Sequence, residues 1–341
     1  MCSFHIFNIG VFEMKRYCDI MAFLGFQGQP PVVHPWVRDN MSLMHLTSAP
    51  PIPICGASIV TMANTMVAHR QFKKSLEEQG VPIIRRGDEI NDNRFQVVLG
   101  LQNAPDDLTV QSLHDLFDAG VSIMGLAYQG ENRFAGGFAS DGRLTDDGRK
   151  IIMEMAKIGM ILDLSHLNHL TAQDVIEFVS DDNEDISIIA SHGGCYEQYG
   201  HRRNLTEQII ADITQLGGLV GIYTMTFGLH ESDNSLGSFL EHFQRIMDIP
   251  DVDCSKICIG SDGYYHDVSS KGYRAHVDKM IAVLDGDRSF GARFPDHPLA
   301  LNCVDRMSII DHILRDIRRS DDEVDGVLSS NALNWFSKKL P

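Results

Sequence analysis

The sequence predicts a (β/α)8 TIM barrel, and three observations carry that expectation. Short apolar runs alternate with amphipathic helical stretches eight times in one register, the pattern of parallel strands joined by crossover helices. Two of the runs, residues 160–164 and 186–190, each lead into Ser-His, so equivalent units deliver the same side chains to the carboxyl edge of one sheet. No composition shift divides the 341 residues, an ordinary length for one barrel with extensions. One domain over residues 1–341 is expected, with a doubly wound open sheet as the second architecture.

The first strand is expected in the run CDIMAFLGF after Tyr17. Residues 27–53 hold Pro30, Pro31, Pro35, Pro50, Pro51 and Pro53 around a short helical stretch at 36–45. This segment reads as an insertion or lid, or equally as a surface contact. A second strand is expected at 56–62 and a helix at 64–79, closed by Gly80. A third strand at 95–101, a helix at 106–119 closed by Gly120 and a fourth strand at 121–127 follow. The next loop, QGENRFAGGFASDGR, is rich in glycine but lacks the GK[ST] ending of a phosphate loop. Thr145 caps a helix at 146–158; the fifth strand is 160–164 and the sixth 186–190, with a helix at 171–180 between them. Helices at 205–216 and 236–248 flank the seventh strand at 218–223, and the eighth lies at 257–260. The tail, 304–341, is expected as C-terminal helices.

Apolar residues make up 43% and charged residues 22% of the chain, the composition of a folded soluble enzyme. The formal net charge of −17 argues against nucleic acid and against an anionic membrane surface as partners. No window of 18 uncharged apolar residues exists to span a bilayer, and the N-terminus lacks the clean apolar core of a signal peptide. Seven cysteines at irregular spacing read as reduced thiols in a cytoplasmic chain. Cys254 and Cys258 have no second pair, so a zinc ribbon is not expected.

On the barrel reading the strand ends bring Gln102, Tyr128, His166, His192, Tyr223 and Asp262 together, with Arg203 in the loop after the sixth strand. One histidine after a strand is more often structural than a ligand, but two at equivalent positions could bind a divalent metal. Asp262, in G-S-D, can take a proton from an attacking water and pass it to a leaving group; its other role is to cap a loop. Arg203, in HRRN, offers a two-pronged grip on a carboxylate, and Arg202 suits a surface ion pair.

The segments RLTDDGRKIIMEMAKIGMILDLSH, IIASHGG, HRRNLT, GGLVGIY, IGSD and SSNALNWF, in that order, resemble the membrane (renal) dipeptidase family. These are zinc-dependent (β/α)8 metallopeptidases of the amidohydrolase superfamily. The resemblance runs from about Phe95 to Phe336, and the ordered set is specific where no single segment is. It implies that His166 and His192 ligate one zinc, that Arg203 holds a substrate carboxylate, and that Asp262 handles the proton of the attacking water. It implies hydrolysis of a dipeptide or small amide, with Tyr128 and Tyr223 beside the substrate, in a homodimer. The departures are equally specific. The family's first strand carries His-x-Asp, whereas Met21 and Phe23 stand here, and neither binds zinc well. Its bridging glutamate is replaced in LGLQNAPDD by Gln102, or in the other alignment by Leu101, and its histidine after the fourth strand by Tyr128. Two cations a few ångströms apart need an acidic bridge. At most one zinc is expected, on His166 and His192 with Gln102 or Asp262 completing it. The alternatives are a catalytically silent barrel that binds a small carboxylate, and a metal-free lyase or isomerase using Asp262 and Tyr128.

Overall fold

The computed structural model describes residues 16–25, 29–52, 59–181, 185–266, 268, 271–317 and 319–341. Its sheet is built from β1 (Tyr17–Phe23), β2 (Met41–Thr47), β3 (Gln96–Leu101), β4 (Ile123–Gly125), β5 (Ile161–Asp163), β6 (Ile188–Gly193), β7 (Leu219–Ile222), β8 (Ile257–Ile259) and β9 (Gly263–Tyr264). Every neighbouring pair is parallel. The last two are halves of one run, separated by Gly260, Ser261 and Asp262. Its first half pairs with β7 and its second with β1, which closes the ring.

The lumen is layered, as inward residues two apart along each strand require. Ile20, Leu43, Val98, Ile123, Ile161, Ile189, Leu219 and Cys258, one from each of the eight strands, are buried in a single cluster. Trp335, Phe336 and Leu340, in and just after helix Asn331–Lys339, plug the amino end beneath them, and Trp335 Nε1 donates to Gly217 O at 2.7 Å. One step above the apolar ring the layer turns polar and crowded, with His45, Asp163 and Ser191 all buried. Glycine makes the room: a Cβ on Gly100 would lie 2.3 Å from His45 Nε2, and one on Gly260 would lie 1.8 Å from Ser191 O. The strand ends above that layer carry the site.

The structure moves the second strand. It is Met41–Thr47, not 56–62; residues 53–58 lie outside the described set, and helix Met62–Glu78 begins where the expected strand ends. The helical stretch in the proline-rich segment is only Pro35–Asn40, begun by a proline and capped by His34, whose Nδ1 accepts from Trp36 N at 3.1 Å. The centre of the supposed insertion or lid, 27–53, is therefore barrel wall. All seven residues of β2 are buried, so the strand shows no apolar–polar alternation, and pairing with both β1 and β3 overrides the helical look of its Met and Leu residues. Helix Lys271–Leu284 and the short helix Thr226–Leu229 were not anticipated. The tail is helical, as expected, over Arg306–Asp316 and most of 321–339. No described helix is long and apolar enough to cross a membrane.

If the lumen depends on its plug, Phe336→Ala should destabilise the fold by about 3–5 kcal/mol, the cost of truncating a buried aromatic. Exposed Lys338→Ala on the same helix should change stability by less than about 0.5 kcal/mol. Urea unfolding of the two variants checks this.

Candidate active site

Three candidate positions share one local device, a serine immediately before the candidate residue, tied to a buried aspartate. Asp163 Oδ1 accepts from Ser165 N at 3.0 Å, Ser165 Oγ at 2.6 Å and Ser191 N at 3.0 Å, and its Oδ2 accepts from Ser191 Oγ. Ser165 precedes His166 and Ser191 precedes His192. Asp19 repeats the device across the barrel seam, accepting from Ser261 N at 2.9 Å, Ser261 Oγ at 2.5 Å and Tyr265 Oη at 2.8 Å, and Ser261 precedes Asp262.

This bonding fixes the tautomer of His192. The Ser191 hydroxyl has one proton, and it goes to the Asp163 carboxylate. His192 Nδ1, 2.8 Å from Ser191 Oγ, must therefore be the donor in that contact. Its Nε2 is left as a lone pair facing His166 Nε2 at 3.0 Å, and His166 supplies the shared proton. His166 Nδ1 is buried without a partner. Both imidazoles are held well below the usual histidine range, first by burial and then by the Arg203 charge, so both are neutral.

Arg203 is inside and Arg202 is outside. Arg203 Nη1 donates to Ser165 O, the guanidinium carbon lies 5.4 Å from the Phe138 ring centre, and Nη2 is buried without a partner. The turn that aims it is braced by Asn204, whose Nδ2 donates to Tyr199 O and Gly228 O, both at 2.8 Å. The Tyr128 ring lies over His166 at 4.0 Å between centres. Asp262 sits at the break between β8 and β9 with φ of 56°, half-buried, its N–H donated to Met21 O at 2.8 Å. Burial raises its carboxyl to about 7; Arg203 pulls the other way, and Asp19 and Asp296 add to the rise.

Tyr128, His166, Arg203 and Asp262 line one cavity of about 130 Å³, and His192 backs it through His166. Gln102 and Tyr223 are not among its lining residues. Tyr223 is a strut rather than a ligand contact: it is fully buried, and its hydroxyl is donated to Asn204 Oδ1 at 2.6 Å. Gln102 turns its amide nitrogen onto Met21 Sδ at 3.5 Å, and Phe23 stacks on Tyr264 at 5.0 Å. The paired Nε2 atoms of His166 and His192 suit one metal ion. Among the described residues, no third histidine, cysteine or carboxylate ligand atom clusters with them; the group of three that does form is Cys195, Glu197 and Glu207, elsewhere on the chain. The donor set thus fits one ion held by few protein ligands, and it does not fit a second. Asp163 and Asp19 were missed from the sequence, although Asp163 lies three residues before His166 and Asp19 two before Met21.

The profile of the membrane dipeptidases, peptidase family M19, matches residues 57–279. An uncharacterized dipeptidase of Schizosaccharomyces pombe is 23% identical over 73% of this chain and 54% of its own length, so the chain spans about half the length of that curated relative. Among solved structures, an amidohydrolase from Pseudomonas aeruginosa superposes with a TM-score of 0.76 at 18% identity, over 96% of both chains. A metallopeptidase from Rhodobacter sphaeroides, liganded with a phosphinate mimic of the dipeptide L-Ala-D-Ala, superposes with a TM-score of 0.73 at 16% identity, over 96% of this chain and all of its own. At these identities the superpositions establish the (β/α)8 amidohydrolase-like fold.

The raised carboxyl of Asp262 carries a signed prediction. The folded state keeps that proton up to about pH 7, while the unfolded chain loses it near the ordinary value of about 3.9. Asp262 therefore costs stability increasingly as pH rises through that window. Asp262→Asn should gain on the parent protein between pH 5 and pH 8, by on the order of 1–2 kcal/mol after allowance for partial exposure. Urea unfolding of both proteins at the two pH values measures it; a difference that does not change with pH would contradict the assignment.

Proposed function

This chain belongs to the membrane dipeptidase family, a family of metallopeptidases, and from that premise we propose that it hydrolyses a dipeptide or small amide bearing a free carboxylate. The observation that carries the reading is Arg203: a buried guanidinium on the cavity, with one terminal nitrogen unpartnered. A buried cation with spare donors is incomplete until an anion meets it. Across the same cavity Asp262, poised near neutrality, takes the proton of the attacking water and returns it to the leaving amine. Tyr128 keeps its phenolic proton, because burial pushes its ionisation far up, so it can donate to the substrate's amide oxygen. His166 and His192 would hold one zinc ion, with Gln102 as the remaining family-equivalent position. When bound, such an ion supplies polarisation of the carbonyl and acidification of a water. Cys18, Cys195, Cys254, Cys258 and Cys303 are all free thiols, which supports a reducing, cytoplasmic setting. The Met21–Gln102 contact favours a second reading, a barrel that binds the same carboxylate without hydrolysing it, because it puts neutral groups where the family has a histidine ligand and its bridging glutamate.

Calorimetric titration with a small N-acyl amino acid tests the shared premise. Arg203→Ala should weaken binding by about 1.5–3 kcal/mol, the worth of a charge-assisted hydrogen bond. Arg203→Lys should recover only part of it, and Arg202→Ala should change little. Equal effects at the two arginines, or none at either, would remove the carboxylate reading. Amide cleavage by the parent protein separates hydrolysis from silent binding.

A further inference from the structure

The helix missing from the sequence reading, Lys271–Leu284, forms one wall of the cavity. His276, Val277, Met280, Ile281 and Leu284 all line it, a spacing that puts them on one helical face. The opposite face carries the exposed Arg274–Asp278 ion pair. Val277 and Ile281 are buried, whereas Met280 and Leu284 are only half-covered, although they face the cavity. The charged groups beside this wall are already engaged. Asp285 accepts from Phe290 N at 2.9 Å and Ala292 N at 2.8 Å, and Arg293 donates to Thr226 O at 3.0 Å and His230 O at 2.8 Å. Asp296, the remaining carboxyl on the lining, accepts from Tyr273 Oη. Among the described residues the cavity is thus polar at the Arg203–Asp262 end and aliphatic along the helix, with no uncommitted charge on the aliphatic side to meet a charged side chain.

We infer that the helix face is the side-chain wall of the site, and that the ligand is a small carboxylate carrying an aliphatic side chain. The inference rests on the Arg203 reading and narrows it. The carboxylate meets Arg203, and the side chain lies along Met280, Ile281 and Leu284, removing apolar area from water. An acidic or basic side chain there would lose its hydration with no partner.

Calorimetric titration of the parent protein with N-acetyl-leucine, N-acetylglycine and N-acetylaspartate provides the test, repeated on Met280→Glu and Met280→Leu. The leucine compound should bind at least about tenfold more tightly than the glycine compound, and the aspartate compound no better than glycine. Met280→Glu should erase the preference, and Met280→Leu should keep it. Equal affinity for the leucine and glycine compounds, or a preference for aspartate, would overturn the inference while leaving the Arg203 reading in place. Binding of none of the three would overturn both.

Discussion

Everything at the mouth of this barrel depends on two carboxylates that never reach it. Asp163 and Asp19 are buried in the wall, each saturated by a serine's backbone N–H and hydroxyl together with further donors. Burying a carboxylate is costly unless its lone pairs are filled, and the chain fills them with the residues next to the functional ones. The bonds that satisfy the buried charge therefore also fix Ser165, Ser191 and Ser261, and through them the exits of His166, His192 and Asp262. For Asp19, burial still dominates and raises its carboxyl above the ordinary range despite these bonds. Sequence, packing and site geometry meet here: glycines at 100 and 260 open the middle layer of the lumen, and the polar groups that fill it set the layer above.

The fold was legible because barrel strands buried on both faces read as short apolar runs, and seven of the eight wall strands fell where such runs stand. The eighth, β2, failed for the same physical reason. Residues 41–47 are buried throughout, are flanked by prolines, and mix Ser42, His45 and Thr47 with apolar residues without a strand period, so only their pairing with β1 and β3 identifies them. The strand-end residues His166, His192 and Asp262 were placed at one mouth by position, and Arg203 by its loop after the sixth strand; His166, Arg203 and Asp262 line the cavity. Tyr223 does not, because a residue at a strand end can face either the cavity or the braces behind it, and its hydroxyl is taken by Asn204. The aliphatic wall was illegible because nothing local says that the apolar face of helix Lys271–Leu284 meets a cavity rather than the barrel.

The replaced positions form a consistent set. Met21 and Gln102 touch each other, and Phe23 joins the aromatic packing of Tyr264, so the positions that the resemblance aligns with His-x-Asp and the bridging glutamate carry neutral side chains here. The charged groups facing that side are Arg203 and Asp262, whose carboxyl burial raises to about 7. Two neutral imidazoles beside a fixed cation make a modest metal site, and only His192 has its far nitrogen oriented, by Ser191 Oγ, since Nδ1 of His166 has no partner. The proton transfer proposed for Asp262 does not depend on the number of ions beside it.

Metal stoichiometry tests this account most directly. The purified chain, loaded with zinc, dialysed and measured by elemental analysis, should retain at most one equivalent, lost when His192 is replaced by alanine. Two retained equivalents per chain would contradict it, because no arrangement of Met21, Phe23 and Gln102 offers a second ion the charge it needs.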